Sequence, residues 1–115
     1  MANENGDNWW ITPAEAMIRP ISAGSLAAEL LAHGTIRLEY YAPQGRDEQT
    51  PHPQDELYII ALGSGWFVNG GRRHPFSVGD VLFVPAGAKH CFEDFSDDFG
   101  TWVVFYGPDG GEAGL

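Results

Sequence analysis

Cysteine is almost missing from this chain of 115 residues: Cys91 stands alone, so no internal disulfide can form, and a reducing compartment fits. Bases are scarce as well, 6 Lys and Arg against 16 Asp and Glu, for a net charge of −10. Such a surface repels phosphate backbones and anionic lipid, which argues against nucleic acid or a membrane surface as partner. No apolar run approaches the ~20 residues of a membrane-spanning helix. Met1 to Asp7 is acidic and polar, without the basic-then-apolar order of a signal peptide. The expectation is a soluble, cytoplasmic protein.

What is present points to an all-β fold. The chain is 43% apolar and holds seven Phe, four Tyr and four Trp, enough for one core in one domain. Fifteen Gly and eight Pro, spread along the chain, punctuate many short segments. Residues 1–11 read as a loose arm in which Trp9, Trp10 and Ile11 need somewhere to dock. Thr12-Pro13-Ala14-Glu15 is a capping-box helix start with Pro at the first helical position, ending near Met17. Ser25 to Ala32 fits a short helical face through Leu26, Leu30 and Leu31. From Thr35 the period is two. Ile36, Leu38 and Tyr40 alternate with Arg37, Glu39 and Tyr41, and further strands are expected at 56–62, 66–68, 73–76, 80–84, 89–93 and 101–106. Asn69-Gly70 marks a hairpin turn. The core then runs from about 33 to 107, within a single domain 1–115, and 108–115 reads as a flexible tail.

Two stretches carry chemistry. His52-Pro53-Gln54-Asp55-Glu56 opens one strand with an imidazole and a carboxylate four positions apart. Gly79 to Asp94 runs a strand into Pro85-Ala86-Gly87 and then delivers His90. Two imidazoles and one carboxylate on separate strands suit a divalent transition metal with open positions. If Glu56 points inward, so do Tyr58, Ile60 and Leu62, while Asp55 faces the other way; if His90 points inward, so does Phe92, and Cys91 faces out as an inert buried thiol. Because both faces of strand 57–62 are apolar, it is central or packs on a second subunit. His33 and His74, beside Gly34 and Pro75, read as ordinary structural residues rather than ligands, and Asp80 as a turn cap.

Both stretches resemble the motifs of the cupin superfamily. Gly79, five residues, Pro85, one, Gly87, two, His90, three and Asp94 follow the C-terminal motif, with Asp94 where the family has Asn. His52, three residues, Glu56, six and Gly63 follow the N-terminal one, across the 15-residue spacer Ser64 to Val78. The first histidine of the family motif is replaced by Thr50. The resemblance implies a jelly-roll β-barrel with a short N-terminal helical element, and a homodimer. It implies His52, Glu56 and His90 as metal ligands for Fe, Mn, Ni or Zn. Gln49 is a further candidate at the position Thr50 vacates. Tyr40, Tyr58, Phe92 and Trp102 are candidate lining of a substrate pocket. The function this implies is a metal-dependent enzyme on a small organic substrate, a dioxygenase first, an isomerase or lyase as variants. The alternatives are a non-catalytic module binding a sugar or acid, and a structural cupin with a vestigial site.

Overall fold

A computed structural model of the chain describes residues 9–21 and 23–113. Among these residues are one helix, α1 (Pro13–Met17), and eight strands: β1 (Ala28–His33), β2 (Ile36–Tyr41), β3 (Asp55–Leu62), β4 (Gly65–Asn69), β5 (Arg72–Phe76), β6 (Val81–Val84), β7 (His90–Glu93) and β8 (Gly100–Tyr106). One sheet runs β1-β2-β8-β3-β6 and the other β5-β4-β7, all neighbours antiparallel. Among the described residues no helix is long and apolar enough to cross a membrane.

The pleat sorts each strand into two sets. Tyr58 and Ile60 of β3 and Val103 and Phe105 of β8 face inward to an aromatic core. Phe92 is its hub, with ring centroids 4.9 Å from Tyr58, 4.9 Å from Phe67, 5.4 Å from Phe76 and 4.8 Å from Phe99. The outer face of the larger sheet is not bare. Ala16 of α1 packs there with Ala28, Leu30 and Tyr40, and with the half-buried Leu38 and Trp102, as a second apolar cluster. The α1 capping box forms as expected: Thr12 Oγ1 accepts from the Glu15 amide, and the Glu15 carboxylate accepts from the Thr12 amide.

Three local expectations are corrected. Ser25 to Ala32 is not helical: Ala28–His33 is an edge strand, because pairing with β2 satisfies its backbone while Ala28 and Leu30 alternate into the second cluster. The β4–β5 turn falls one residue later than Asn69-Gly70. Asn69 pairs with Arg72, and Gly70 and Gly71 sit between them at φ 59° and 88°, the positive values such a two-residue turn demands. Residues 107–112 are tied down rather than frayed: Asp55 accepts from the Glu112 amide at 2.9 Å, Pro53 O accepts from Gly110 N at 2.7 Å, and Gln54 donates to Gly107 O at 2.8 Å.

Candidate functional site

Register brings Glu56 and His90 together. Glu56 opens the inward set of β3 and is 1% exposed, and His90 opens the inward set of β7 and is 4% exposed. The turn Pro85-Ala86-Gly87 before β7 is fastened to the other motif by Gly87 N donating to His52 O at 2.8 Å. His90 Nε2 lies 3.1 Å from Glu56 Oε1 and 2.9 Å from the Tyr58 hydroxyl, and its Nδ1 lies 2.8 Å from Ala88 O.

The loop between β2 and β3 closes this cluster through Asp47. Its carboxylate accepts from the Tyr41 hydroxyl, from Gln49 N and Nε2, and from Phe92 N on β7. With the Gln49 amide nitrogen held by Asp47, its Oε1 accepts the Tyr58 hydroxyl proton at 2.9 Å. The Tyr58 oxygen then accepts from His90 Nε2. The Ala88 carbonyl can only accept, so Nδ1 carries a proton too. Both ring nitrogens donate, and His90 is an imidazolium paired with Glu56. Its pKa agrees: burial alone would lower it, but the bonds to Glu56 and Ala88 and the Glu56 charge outweigh burial and raise it. Burial, and then Glu56, push the Tyr58 phenol far up, so it stays a neutral donor.

His52 is treated differently. Its ring stacks on Phe105, centroids 3.9 Å apart. Arg37 Nη2 donates to its Nε2 at 3.1 Å, and the Gln54 amide points at its Nδ1 at 3.3 Å. The guanidinium can only donate, so Nε2 accepts and the single proton of the neutral ring sits on Nδ1, facing the Gln54 amide without a true hydrogen bond. Burial, offset in part by Glu56, keeps its pKa below the usual value.

A divalent metal does not fit this arrangement. Among the described residues, no three His, Cys, Asp or Glu side chains converge as ligands of an ion would. His90 Nε2 is filled by Glu56 and Tyr58, and the lone pair of His52 Nε2 is taken by a guanidinium, a cation standing where another cation would have to be. Gln49 is likewise engaged at both ends of its amide.

Above the cluster lies a cavity of about 340 Å³. Arg37, Glu39 and Thr50 give it polar walls, Val103 and Phe105 an apolar one, and Glu56 and Gln49 its floor. Burial raises the Glu39 carboxyl above its usual pKa, although Arg37 pulls the other way.

The cupin domain family Cupin_2 matches residues 37–106, which include both motifs and every strand from β3 to β8. The chain belongs to the Cupin_2 family. Similar curated proteins include SCO3923 of Streptomyces coelicolor, 38% identical over 63 residues, 55% of this chain and 60% of that protein. The HTH-type transcriptional activator RhaS of Yersinia pestis is 35% identical over 74 residues, 64% of this chain and 27% of RhaS. The chain thus spans less than two thirds of either relative. Among solved structures, a predicted oxalate decarboxylase from Thermotoga maritima aligns with TM-score 0.57 and 26% identity, over 70% of this chain and 77% of that one.

Within this cupin, the expected inward set of β3 holds for Glu56, Tyr58 and Ile60, whereas Leu62 lies past a register shift and is only half-buried; Asp55 does face away, accepting from the Ala86 and Glu112 amides. Tyr58 and Phe92 lie beneath the cavity, packed at 0% and 2% exposure, rather than lining it. Tyr40 and Trp102 are corrected: they pair across β2 and β8 on the outer face, rings 5.3 Å apart, with the sheet between them and His90. Cys91 faces out as expected but is half-buried, and burial raises its thiol pKa. Asp80 caps its turn by accepting from Ser77 N at 2.9 Å, and His33 and His74 are exposed. Arg37, Glu39, Tyr41 and Asp47 are site residues the motifs do not include. The alternation of β2 carried the signal for the first three, read on the wrong face.

Proposed function

We propose that this cupin is a small-molecule binding module that takes a sugar or an organic acid in the cavity beside Arg37 and His52, independently of metal. One observation carries the reading: the buried polar groups satisfy one another, whereas the cavity above them keeps polar walls. Glu56, His90, Tyr58 and Gln49 form a closed relay with each donor matched to an acceptor, so they act as a rigid floor. Similarity to part of a transcriptional activator supports a binding or sensing role. We further place the protein in the cytoplasm as a homodimer paired through the outer face of the larger sheet. There Trp9 and Trp10, 85% and 72% exposed, border an apolar groove with Leu31, Ile59 and Trp102.

The test is a thermal-shift screen of sugars and organic acids with EDTA present. Saturable stabilisation without turnover supports the reading; binding that needs added metal, or consumption of the bound compound, refutes it. A second reading, a metal-dependent dioxygenase, isomerase or lyase, draws on one contact. The Ala88 carbonyl orients His90 through Nδ1 as outer partners orient metal-binding imidazoles, and a solved neighbour carries the name of a predicted decarboxylase. It requires Arg37 to leave His52 and His90 to lose its proton. Metal analysis of protein purified without added metal decides for or against it.

A further inference from the structure

Arg37 is the odd charge in this cavity. The chain carries 16 acids and 6 bases, yet among the described residues no carboxylate lies within ion-pair distance of the Arg37 guanidinium. Its one hydrogen bond there goes to a neutral acceptor, His52 Nε2. The Phe105 ring lies 5.4 Å from its Cζ, so one edge is fixed by His52 and one side is backed by an aromatic wall. A guanidinium has five N–H donors in a rigid fork, and most of these remain for the cavity. Two surface arginines behave otherwise, Arg73 bonding both Glu93 and Asp94 and Arg46 pairing with Glu48, so what sets Arg37 apart is its place on the cavity wall.

From this placement we infer that Arg37 is a built-in carboxylate receptor: the cavity binds a small monocarboxylic acid by its head group, with the guanidinium supplying the positive charge a metal would otherwise give. The inference rests on the binding reading above and narrows its ligand class. A planar fork matches a carboxylate with two parallel hydrogen bonds. One guanidinium neutralises one charge, and Glu39 on the same cavity repels a second, whereas the Glu56 charge is already balanced by His90; this disfavours phosphate dianions and dicarboxylates. Thr50 and Glu39 stand ready for hydroxyls on the ligand body, and Val103 and Phe105 for its carbon chain.

The experiment uses three pairs of probes matched in shape, benzoate with benzamide, lactate with lactamide, and D-gluconate with D-glucitol, titrated into the full chain with EDTA and followed by two-dimensional NMR. At least one acid should shift the amides around Arg37, Thr50 and Val103 and bind tenfold or more tighter than its neutral partner. Arg37→Gln should remove that tenfold advantage of the acid over its neutral partner. Arg37→Lys, which keeps the charge but loses the fork, should retain part of it. Acid and neutral partner binding equally well in the cavity, or an Arg37→Gln variant that keeps the preference, would overturn the carboxylate assignment and leave the binding reading standing. No cavity shift from any of the six probes overturns the assignment and removes support for the binding reading with it. An acid bound only when EDTA is omitted also overturns it, by assigning the head group to a metal. The acid–amide comparison is made on the unmodified protein, so it decides even if an Arg37 variant fails to fold.

Discussion

Replacing Glu56 by Gln isolates the buried ion pair from the shape of the side chain that makes it. The two side chains are 1% and 2% exposed, His90 first, and their closest atoms are 3.1 Å apart. Removing one partner of such a pair costs about 3–5 kcal/mol, because the other charge is left in an apolar interior. The Gln amide oxygen still accepts from His90 Nε2, which restores about 1 kcal/mol. The expected net loss is about 2–4 kcal/mol at pH 5.5. With a urea slope of about 2 kcal/mol per molar, the unfolding midpoint falls by roughly 1–2 M.

The sign of the pH dependence follows from the raised pKa of His90. A group whose folded pKa exceeds its unfolded value, about 6.5 for His, contributes its full stability below that unfolded value. The contribution is lost as pH rises through the folded one. Glu56→Gln removes the partner that raises it, so the penalty should be largest at pH 5.5 and should shrink by pH 9. Groups elsewhere titrate alike in both proteins and cancel in the difference. Paired urea curves at the two pH values make the measurement. A penalty below about 1 kcal/mol at pH 5.5, or one that grows with pH, would show that His90 is neutral in the folded protein and that its proton inventory is wrong.

Tyr40→Phe should stabilise the fold by roughly 1 kcal/mol in the same urea assay, since the Tyr40 hydroxyl is buried without a hydrogen-bond partner among the described residues; a loss instead would reveal a partner. Ile59→Lys, placed on the outer face between Trp102 and Val81, should convert a dimer to a monomer by light scattering while leaving circular dichroism unchanged. A wild-type chain already monomeric at high concentration would refute that use of the face. Exhaustive dialysis against EDTA should leave the urea midpoint within error, because the polar cluster is closed by its own donors and acceptors; a falling midpoint would show a metal contributing to the fold.

Most strands were legible because one physical rule, alternation about a pleat, acts locally and repeats. The motif glycine Gly63 was legible only as a spacing, and its reason is three-dimensional. It sits at φ +82°, and a Cβ there would come within 2.7 Å of Phe99 Cα. The segment Ser25 to Ala32 departs from its local pattern for the opposite reason. Its short apolar run suits a helix face as well as a strand, and what decides is hydrogen bonding to β2, which no local pattern carries. Turn chemistry failed by one residue at Asn69, where Gly70-Gly71 offered a pair of glycines and the chain used both.

The site was half legible, and the division has a structural cause. Spacing predicts which side chains of β3 and β7 meet, and Glu56 and His90 do meet. It cannot say what they hold, because the group on His52 comes from β2, 15 residues earlier in the chain. On β2 the apolar set Ile36, Leu38 and Tyr40 looks like the core-facing one. It would be, if the larger sheet had only one covered face. Instead, Ala16 of the five-residue helix packs with Tyr40 and Leu38 on the outer side, and that second cluster holds the apolar set outward. The same pleat then turns Arg37, Glu39 and Tyr41 toward the cavity. A capping box at Thr12 is therefore connected, through one helix and one strand register, to the guanidinium on His52.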